Sequence, residues 1–486
     1  MIGAEFVRSR ARIVTRHTAV IVFTMWSAAT AGAEPTMTAT TVPPSDAVLD
    51  GLIADSLAAR PELQQAEAIS RAQHLRVPQA GAFPDPVLSL GIQNDGFNEI
   101  QIGDMETSFY QIMLSQGLPW PGKRGLRTDV ARLTAEQADS LVSRMRLTTE
   151  ADVRRSYVDL LLVRDRLVLL DQLDALWEKS AGVARALYES GSAAQSDVLR
   201  SQLEINRLRQ RRAALIAQEQ TTVQALNRMR AHPLDEPIVT GKSIRDLGVP
   251  ALAPLDAATA SALEKSPELA LARMGVSRAE KMTALALRER FPDVNLNLGV
   301  MPRGELDPMW LAGVSVPLPI WSYRKQGPAV DESEARSSAA AFGAAALEQI
   351  LRLRVAERNS TLHSLLEIIR PYQEGLLVQS QATAESTLAQ YRVGNVTFAS
   401  VLEANAGYIN DEESFLSALA DAHRVEIAEI EISLEALGGI GGGTAAMGGA
   451  PMPGAAAIPT PPTGTAAPGA PAPGAASGTS MPGAGM

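Results

Sequence analysis

The sequence predicts a mainly α fold with a small β part: a tandem-repeat protomer of long coiled-coil helices plus four β-strands. Three observations predict it. First, the chain repeats itself. Pro61-Glu62-Leu63 recurs as Pro267-Glu268-Leu269, and "FPDPVLSLGI" (83–92) recurs as "FPDVNLNLGV" (291–300). "LSQGLPW" (114–120) recurs as "VSVPLPI" (314–320), and "YESG" (188–191) as "YRVG" (391–394). The offsets are 206, 208, 200 and 203 residues in unchanged order, the mark of a duplicated unit. Second, no proline occurs between Pro121 and Pro233, and the stretch is rich in Leu, Ala, Arg, Glu and Gln, all strong helix formers. Third, short segments alternate apolar and polar residues with the period of a strand.

Taken in order, residues 1–33 read as a secretory signal peptide. Arg8, Arg10, Arg12 and Arg16 form a basic start, Thr18 to Ala29 is mostly apolar, and Ala31-Gly32-Ala33 fits a small-residue cleavage site. Removing four of 44 basic and one of 54 acidic side chains leaves 40 against 53, net −13. That balance argues against a nucleic-acid partner. Residues 34–47 read as an extended lead-in. No later apolar run approaches the ~18 residues of a spanning helix, so the chain is either a β-barrel or soluble. There is no cysteine, hence no disulfide, no thiolate metal site and no lipidated N-terminal cysteine. The mature protein would not be a lipoprotein.

The first repeat spans 48–240: a helix, strands at about 85–95 and 106–118, and a helical hairpin at 122–232. Leu88, Leu90 and Ile92 oppose Ser89, Gly91 and Gln93, while Tyr110, Ile112 and Leu114 oppose Gln111 and Ser115. A breaker-rich linker covers 241–255. The second repeat spans 256–437, with strands at about 293–301 and 308–319 and a hairpin at 322–437. Here Val294, Leu296, Leu298 and Val300 oppose Asn295, Asn297 and Gly299, and Val314, Val316 and Leu318 oppose Gly313 and Ser315. An apolar face opposite a small or polar one suits a barrel strand between lipid and water. It also suits a soluble hairpin with one buried face. Tyr110 and Trp310 would lie at the loop ends of their strands, and Trp120 and Trp321 near the other ends, like the aromatic girdles of a membrane barrel.

Four strands cannot close a barrel, for which about eight is the minimum. Three chains would supply twelve. The rod from Arg124 to Ser190 would reach ~100 Å at 1.5 Å per residue. Val153, Tyr157, Leu160, Leu167 and Leu170, and the heptads Ile409, Leu416, His423, Ile430 and Leu437, carry coiled-coil spacing. Ordinary bundle packing would use the same residues. Pro371 predicts a kink in the second rod. "LPWPGKRG" would join strand to rod, with Trp120 at the interface, Lys123 and Arg124 toward lipid head groups, and Pro121 pre-setting the first helical turn.

These features resemble the TolC family of outer-membrane efflux proteins over residues ~46–437. The carriers are the tandem repeat, the paired "FPDP"/"FPDV" strands, "PWPGKR", and the tips "YESGSAAQSDVL" and "YRVGNVTFASVLEA". The resemblance implies a homotrimer. Its 12-stranded barrel would sit in outer-membrane lipid and continue as a periplasmic α-helical barrel. It implies a periplasmic adaptor and an inner-membrane pump, of RND type, as partners. It implies no cofactor, no metal centre and no catalysis. Gly191, Ser192, Gly394, Asn395 and Val396 match adaptor-docking tips. Tyr391 and Asp197 match a hydrogen bond that holds the periplasmic mouth shut, and Glu403 matches an acidic pore-lining position. The chain departs from the pattern at Val396, where a gating arginine can occur, and at Ser400, where a second acidic residue can occur. "PDPVLSLGIQN", Met105 and "SQGLPWPGKR" look most like the heavy-metal branch. The alternatives are a soluble periplasmic coiled-coil adaptor or scaffold, or a duct for drugs or secreted proteins.

The histidines His74, His232, His363 and His423 are scattered without metal-ligand spacing, and "PGKRG" lacks the flanks of a phosphate loop. Residues 438–486 turn to Gly, Ala, Pro, Thr and Ser, a composition that cannot build a core and predicts disorder. Met447, Met452, Met481 and Met486 would suit soft Cu(I) or Ag(I), but low-complexity composition accounts for them without a role.

Overall fold

The computed structural model describes residues 46–436. The signal segment, nearly all of the lead-in and the C-terminal tail fall outside the described residues. Each repeat opens with two helices where one was expected: α1 (Ala47–Ala59) and α2 (Pro61–Gly81), then α5 (Leu255–Lys265) and α6 (Pro267–Arg288). The split has a local cause. Pro61 and Pro267 each take the first position of the second helix, and the residues before them, Arg60 and Ser266, are extended, as a following proline demands. Asp46 caps α1 by accepting from the Val48 N–H at 3.1 Å, so the helix begins at the end of the expected lead-in.

Four strands follow the two helical pairs: β1 (Val87–Gln93), β2 (Phe109–Leu118), β3 (Val294–Arg303) and β4 (Leu306–Ser315). They form one antiparallel sheet in sequence order, so the two repeats meet between β2 and β3. β4 stops at Ser315, short of the expected 319. Pro317 and Pro319 withhold the N–H groups a ladder needs, and Val316 and Leu318 lie beyond the strand. β1 and β4 are open edges.

The rods are α3 (Lys123–Glu189, 67 residues), α4 (Gln195–Met229), α7 (Gln326–Pro371), α8 (Leu377–Arg392) and α9 (Phe398–Glu431). Val153, Tyr157, Leu160 and Leu170 of α3 are buried together with Ile409, Leu416 and His423 of α9. The seam ends there: Ile430 is exposed and Leu437 lies outside the described residues. The second rod does break near Pro371, but the sharp feature falls four residues later. A single π turn at Tyr372–Leu376 holds Gly375 at φ 143°, a conformation only glycine adopts readily.

An ion network locks the end of α9 to α3. Glu431 accepts from Arg144 at 2.8 Å and from Arg155, and Arg144 also reaches Glu268 of α6 at 3.0 Å. His423 lies at 3.1 Å from both Glu426 and the Gly248 carbonyl. Its ring therefore fills the seam with both nitrogens partnered. A short 3₁₀ turn, Ile244–Leu247, interrupts the linker and is closed by a Ser243–Asp246 capping box.

Candidate functional site

Two places hold the residues singled out in the sequence: the tips of the rods and the sheet with its collar. At each tip a rod reverses through the same backbone device. Gly191 and Gly394 both sit at φ 77°. Gly191 N–H donates to the Tyr188 carbonyl at 2.9 Å and Ser192 N–H to Leu187 at 2.7 Å. Gly394 N–H donates to Tyr391 at 3.0 Å and Asn395 N–H to Gln390 at 3.0 Å. This paired pattern is the Schellman cap, which satisfies the last carbonyls of a helix and favours glycine.

The structure brings Tyr391 and Asp197 together. The tyrosine hydroxyl donates to Asp197 Oδ2 at 3.1 Å, linking the last turn of α8 to the first turn of α4. Tyr391 is 4% exposed and packs at a tilt on Phe398, with ring centroids 5.3 Å apart. Burial, and then the Asp197 carboxylate, push the phenol up to about 12, so it stays a donor at neutral pH. A cleft of about 670 Å³ surrounds the pair, lined by Leu187, Arg200, Val396 and Phe398 among others. Val396 packs against the core. Glu403 is exposed on α9, one and a half turns from the tip, and is not part of the clasp.

The register gathers most of the branched aliphatic side chains of the sheet on one face. Leu88, Leu90 and Ile92 stand opposite Leu114, Ile112 and Tyr110; Ile112 and Leu114 stand opposite Val300 and Leu298; Leu298 and Val300 stand opposite Ala312 and Trp310. Most of these side chains are exposed, and among the described residues no helix covers either face. Gln116, opposite Leu296, and the Tyr110 hydroxyl are polar groups on this face.

The girdle residues do not all behave alike. Tyr110 is exposed near the start of β2. Trp310 is 79% exposed but stands mid-strand, opposite Val300, because the β3–β4 hairpin runs on to Gly304. Trp321 is exposed in the turns after β4 and lies near Tyr323. Trp120 instead stacks on Phe291, 5.3 Å apart and 10° from parallel.

The expected lipid contact of Lys123 is corrected by the structure, and Arg124 is half-buried with its Nε partnered inside the protein. Lys123 is 4% exposed; its ammonium donates to the Phe291 carbonyl and to Asp293 Oδ1, both at 2.7 Å. Arg124 donates to the Gly81 carbonyl at 2.8 Å and lies over the Phe83 ring at 3.5 Å. Both cations staple the two "FPD" segments to the start of α3. The signal was present in the sequence, since Phe83 and Phe291 are repeat equivalents, but a pairing across 170 residues carries no local mark.

Among the described residues no group of three or more His, Cys, Asp or Glu side chains is placed to hold a metal ion, and no helix is long and apolar enough to cross a membrane.

The sequence profile of the outer membrane efflux proteins matches residues 52–232 and 259–428, one block per repeat. The chain belongs to that family. Within it, the cobalt-zinc-cadmium resistance protein CzcC of Cupriavidus metallidurans is 24% identical over 207 residues, 42% of this chain and 49% of the relative, so the match spans about half of that protein's length. The fold of this efflux-family member is that of solved outer-membrane channels. CusC, described in terms of transmembrane channel formation, superposes with a TM-score of 0.68 at 16% identity, over 79% of this chain and 92% of its own. The open state of the Neisseria gonorrhoeae MtrE outer membrane channel gives 0.68 at 16% identity, over 80% and 89%.

Proposed function

We propose that three copies of this chain form the outer-membrane duct of a tripartite exporter, passively conducting cargo from a periplasmic adaptor and an inner-membrane pump of RND type to the exterior. The observation that carries this reading is the sheet: four strands, two open edges, one continuous apolar face, mounted on rods that end in paired tips. An open edge seeks another strand, and an uncovered apolar face of this extent needs lipid or protein. Three sheets joined edge to edge satisfy both demands with twelve strands, within the range of membrane barrels. The signal-peptide-like start and the family membership support export to the outer membrane. The duct performs no chemistry of its own.

In this reading Tyr391 and Asp197 hold the mouth, Glu403 faces the pore, and Gly191, Ser192, Gly394, Asn395 and Val396 meet the adaptor. The cargo is assigned to heavy-metal cations, a reading supported by the likeness to CzcC and by the "PDPVLSLGIQN" and "SQGLPWPGKR" segments. Fractionation tests the duct: a heat-resistant trimer in outer-membrane detergent extracts is expected, whereas release with soluble periplasm refutes it. A deletion strain tests the cargo. Equal growth of deletion and parent on copper, silver, zinc and cobalt would remove the metal assignment and favour drugs.

A further inference from the structure

The face of the sheet opposite the apolar one holds an unexpected set of donors. Barrel interiors are ordinarily polar, and Ser89, Gln93, Ser115, Asn295, Asn297 and Ser315 fit that rule. Val87, Phe109, Leu311 and three methionines do not, and of these only the methionines carry donor atoms. The register places Met113 between Ser89 and Gly299, with Gly299 paired in turn to Leu311. Two residues farther along β3, on the same face, Met301 pairs directly with Met309 of β4. Met113 is thus the diagonal neighbour of Met301, and diagonal positions on one face lie roughly 7–8 Å apart, within reach of a long flexible side chain.

Gly299, itself buried, carries no side chain to part its neighbours at this corner. It lies between Met113 and Leu311; a methyl there would stand 3.8 Å from the Cβ of each. Gln111 shares the face, its amide nitrogen 4.0 Å from the Met113 sulfur. All three methionines are half-buried. Methionine ordinarily fills gaps in a core, but no helix covers this face among the described residues. The thioethers have no core to fill.

We infer that Met113, Met301 and Met309 form a thioether site for a soft monovalent cation, Cu(I) or Ag(I), on the inner wall of the barrel, one site per protomer. The inference rests on the duct reading, which makes this face the water-filled one. Neutral thioethers select soft cations and discriminate poorly in favour of Zn(II) or Co(II), which prefer imidazole and carboxylate. The donors of this chain therefore point to a different class of ion from the cobalt, zinc and cadmium in the name of CzcC. A wall site in a duct must hold its ion weakly enough to release it, and uncharged sulfur donors beside a single amide do so. Strands β2, β3 and β4 of one protomer supply all the donors, so the site needs no residue from a second copy.

The test uses the full mature protein, inserted as single channels in planar bilayers with a nitrate electrolyte. Silver ion is the probe. Micromolar silver should reversibly lower the conductance of the parent, and Met113→Leu/Met301→Leu/Met309→Leu should need about tenfold more silver for the same effect. Leucine nearly conserves methionine's volume, so channel yield should hold. Met105→Leu, in the β1–β2 loop, should respond like the parent. X-ray absorption at the silver edge should show a sulfur shell that shrinks in the triple variant. Open channels that silver blocks equally in parent and triple variant, or in neither, overturn the thioether site and leave the duct standing. If neither protein forms channels, the duct reading falls and the site falls with it.

Discussion

Tyr391 donates its hydroxyl to Asp197 across 3.1 Å, although 194 residues separate them in the chain. The bond ties the second helical hairpin to the first at the point where both reverse. A hydrogen bond to a charged partner contributes ~1.5–3 kcal/mol, enough to set a closed–open equilibrium. Tyr391→Phe removes it and leaves the ring on Phe398. Single-channel conductance or open time should rise about tenfold or more. Alkali should do the same to the parent. The folded phenol titrates near 12 against an ordinary 10, so its contribution is complete below about pH 10 and is lost as pH rises through 12. A conductance that ignores both Tyr391→Phe and alkaline pH would reduce the tips to docking surfaces.

Ser400 occupies in α9 the place Asp197 occupies in α4, the third residue of the helix. Tyr188 likewise precedes Gly191 by three residues, as Tyr391 precedes Gly394, yet Tyr188 is 45% exposed. The clasp joins Tyr391 to Asp197, and the matching position in α9, Ser400, carries no carboxylate. In a ring of three copies, Ser400→Asp would offer Tyr188 of the neighbouring subunit an anion. A first-turn aspartate also suits the helix dipole. Lower conductance is expected, and Tyr188→Phe in that background should restore it. No change in conductance would place Tyr188 away from the subunit boundary.

The face assignment is tested by two neighbouring residues. Leu298 lies on the apolar face between Leu114 and Ala312, and Asn297 on the other between Ser115 and Gly313. Leu298→Arg puts a charge into lipid at a cost of about 2–4 kcal/mol near the midplane, so the yield of outer-membrane trimer should collapse. Asn297→Arg should assemble normally. Equal yields would invert or abolish the two faces.

Lys123 and Asp293 form the staple below the sheet. Burial alone would raise the carboxyl of Asp293, but the Lys123 ammonium and the Trp120 N–H outweigh it and hold the group below the usual carboxylate range. Because Asp293 keeps water contact, Lys123→Met should cost only about 1–3 kcal/mol, read as a lower thermal midpoint. The contribution of a depressed carboxylate is present above its ordinary range and lost as pH falls through the folded value. Asp293→Asn should therefore flatten the acid limb of the stability profile. An unchanged limb would assign acid sensitivity to other groups.

The duplication, the two reversing tips and the alternating strands were legible in the residues because each depends on local spacing. A period of two or seven, a glycine after a helix and a proline before one act through neighbouring backbone. Pro317 and Pro319 were just as local, and the end of β4 at Ser315 follows from them. The Gly375 break was harder to read. Pro371 is the obvious breaker, yet a π turn passes the irregularity on to the first residue able to hold φ 143°.

Tertiary structure alone decided what depends on register and distant pairing. "PWPGKRG" advertises cations next to a membrane strand, but whether Lys123 meets lipid or Asp293 is set by where the second "FPD" segment comes to rest, 170 residues away. The methionines of β2, β3 and β4 are unremarkable singly. They become neighbours because strand pairing in sequence order puts the two repeats side by side and parity turns all three to one face. Composition and periodicity determine which elements form, since those energies are local. The sites arise from side chains far apart in the chain, and only packing brings those together.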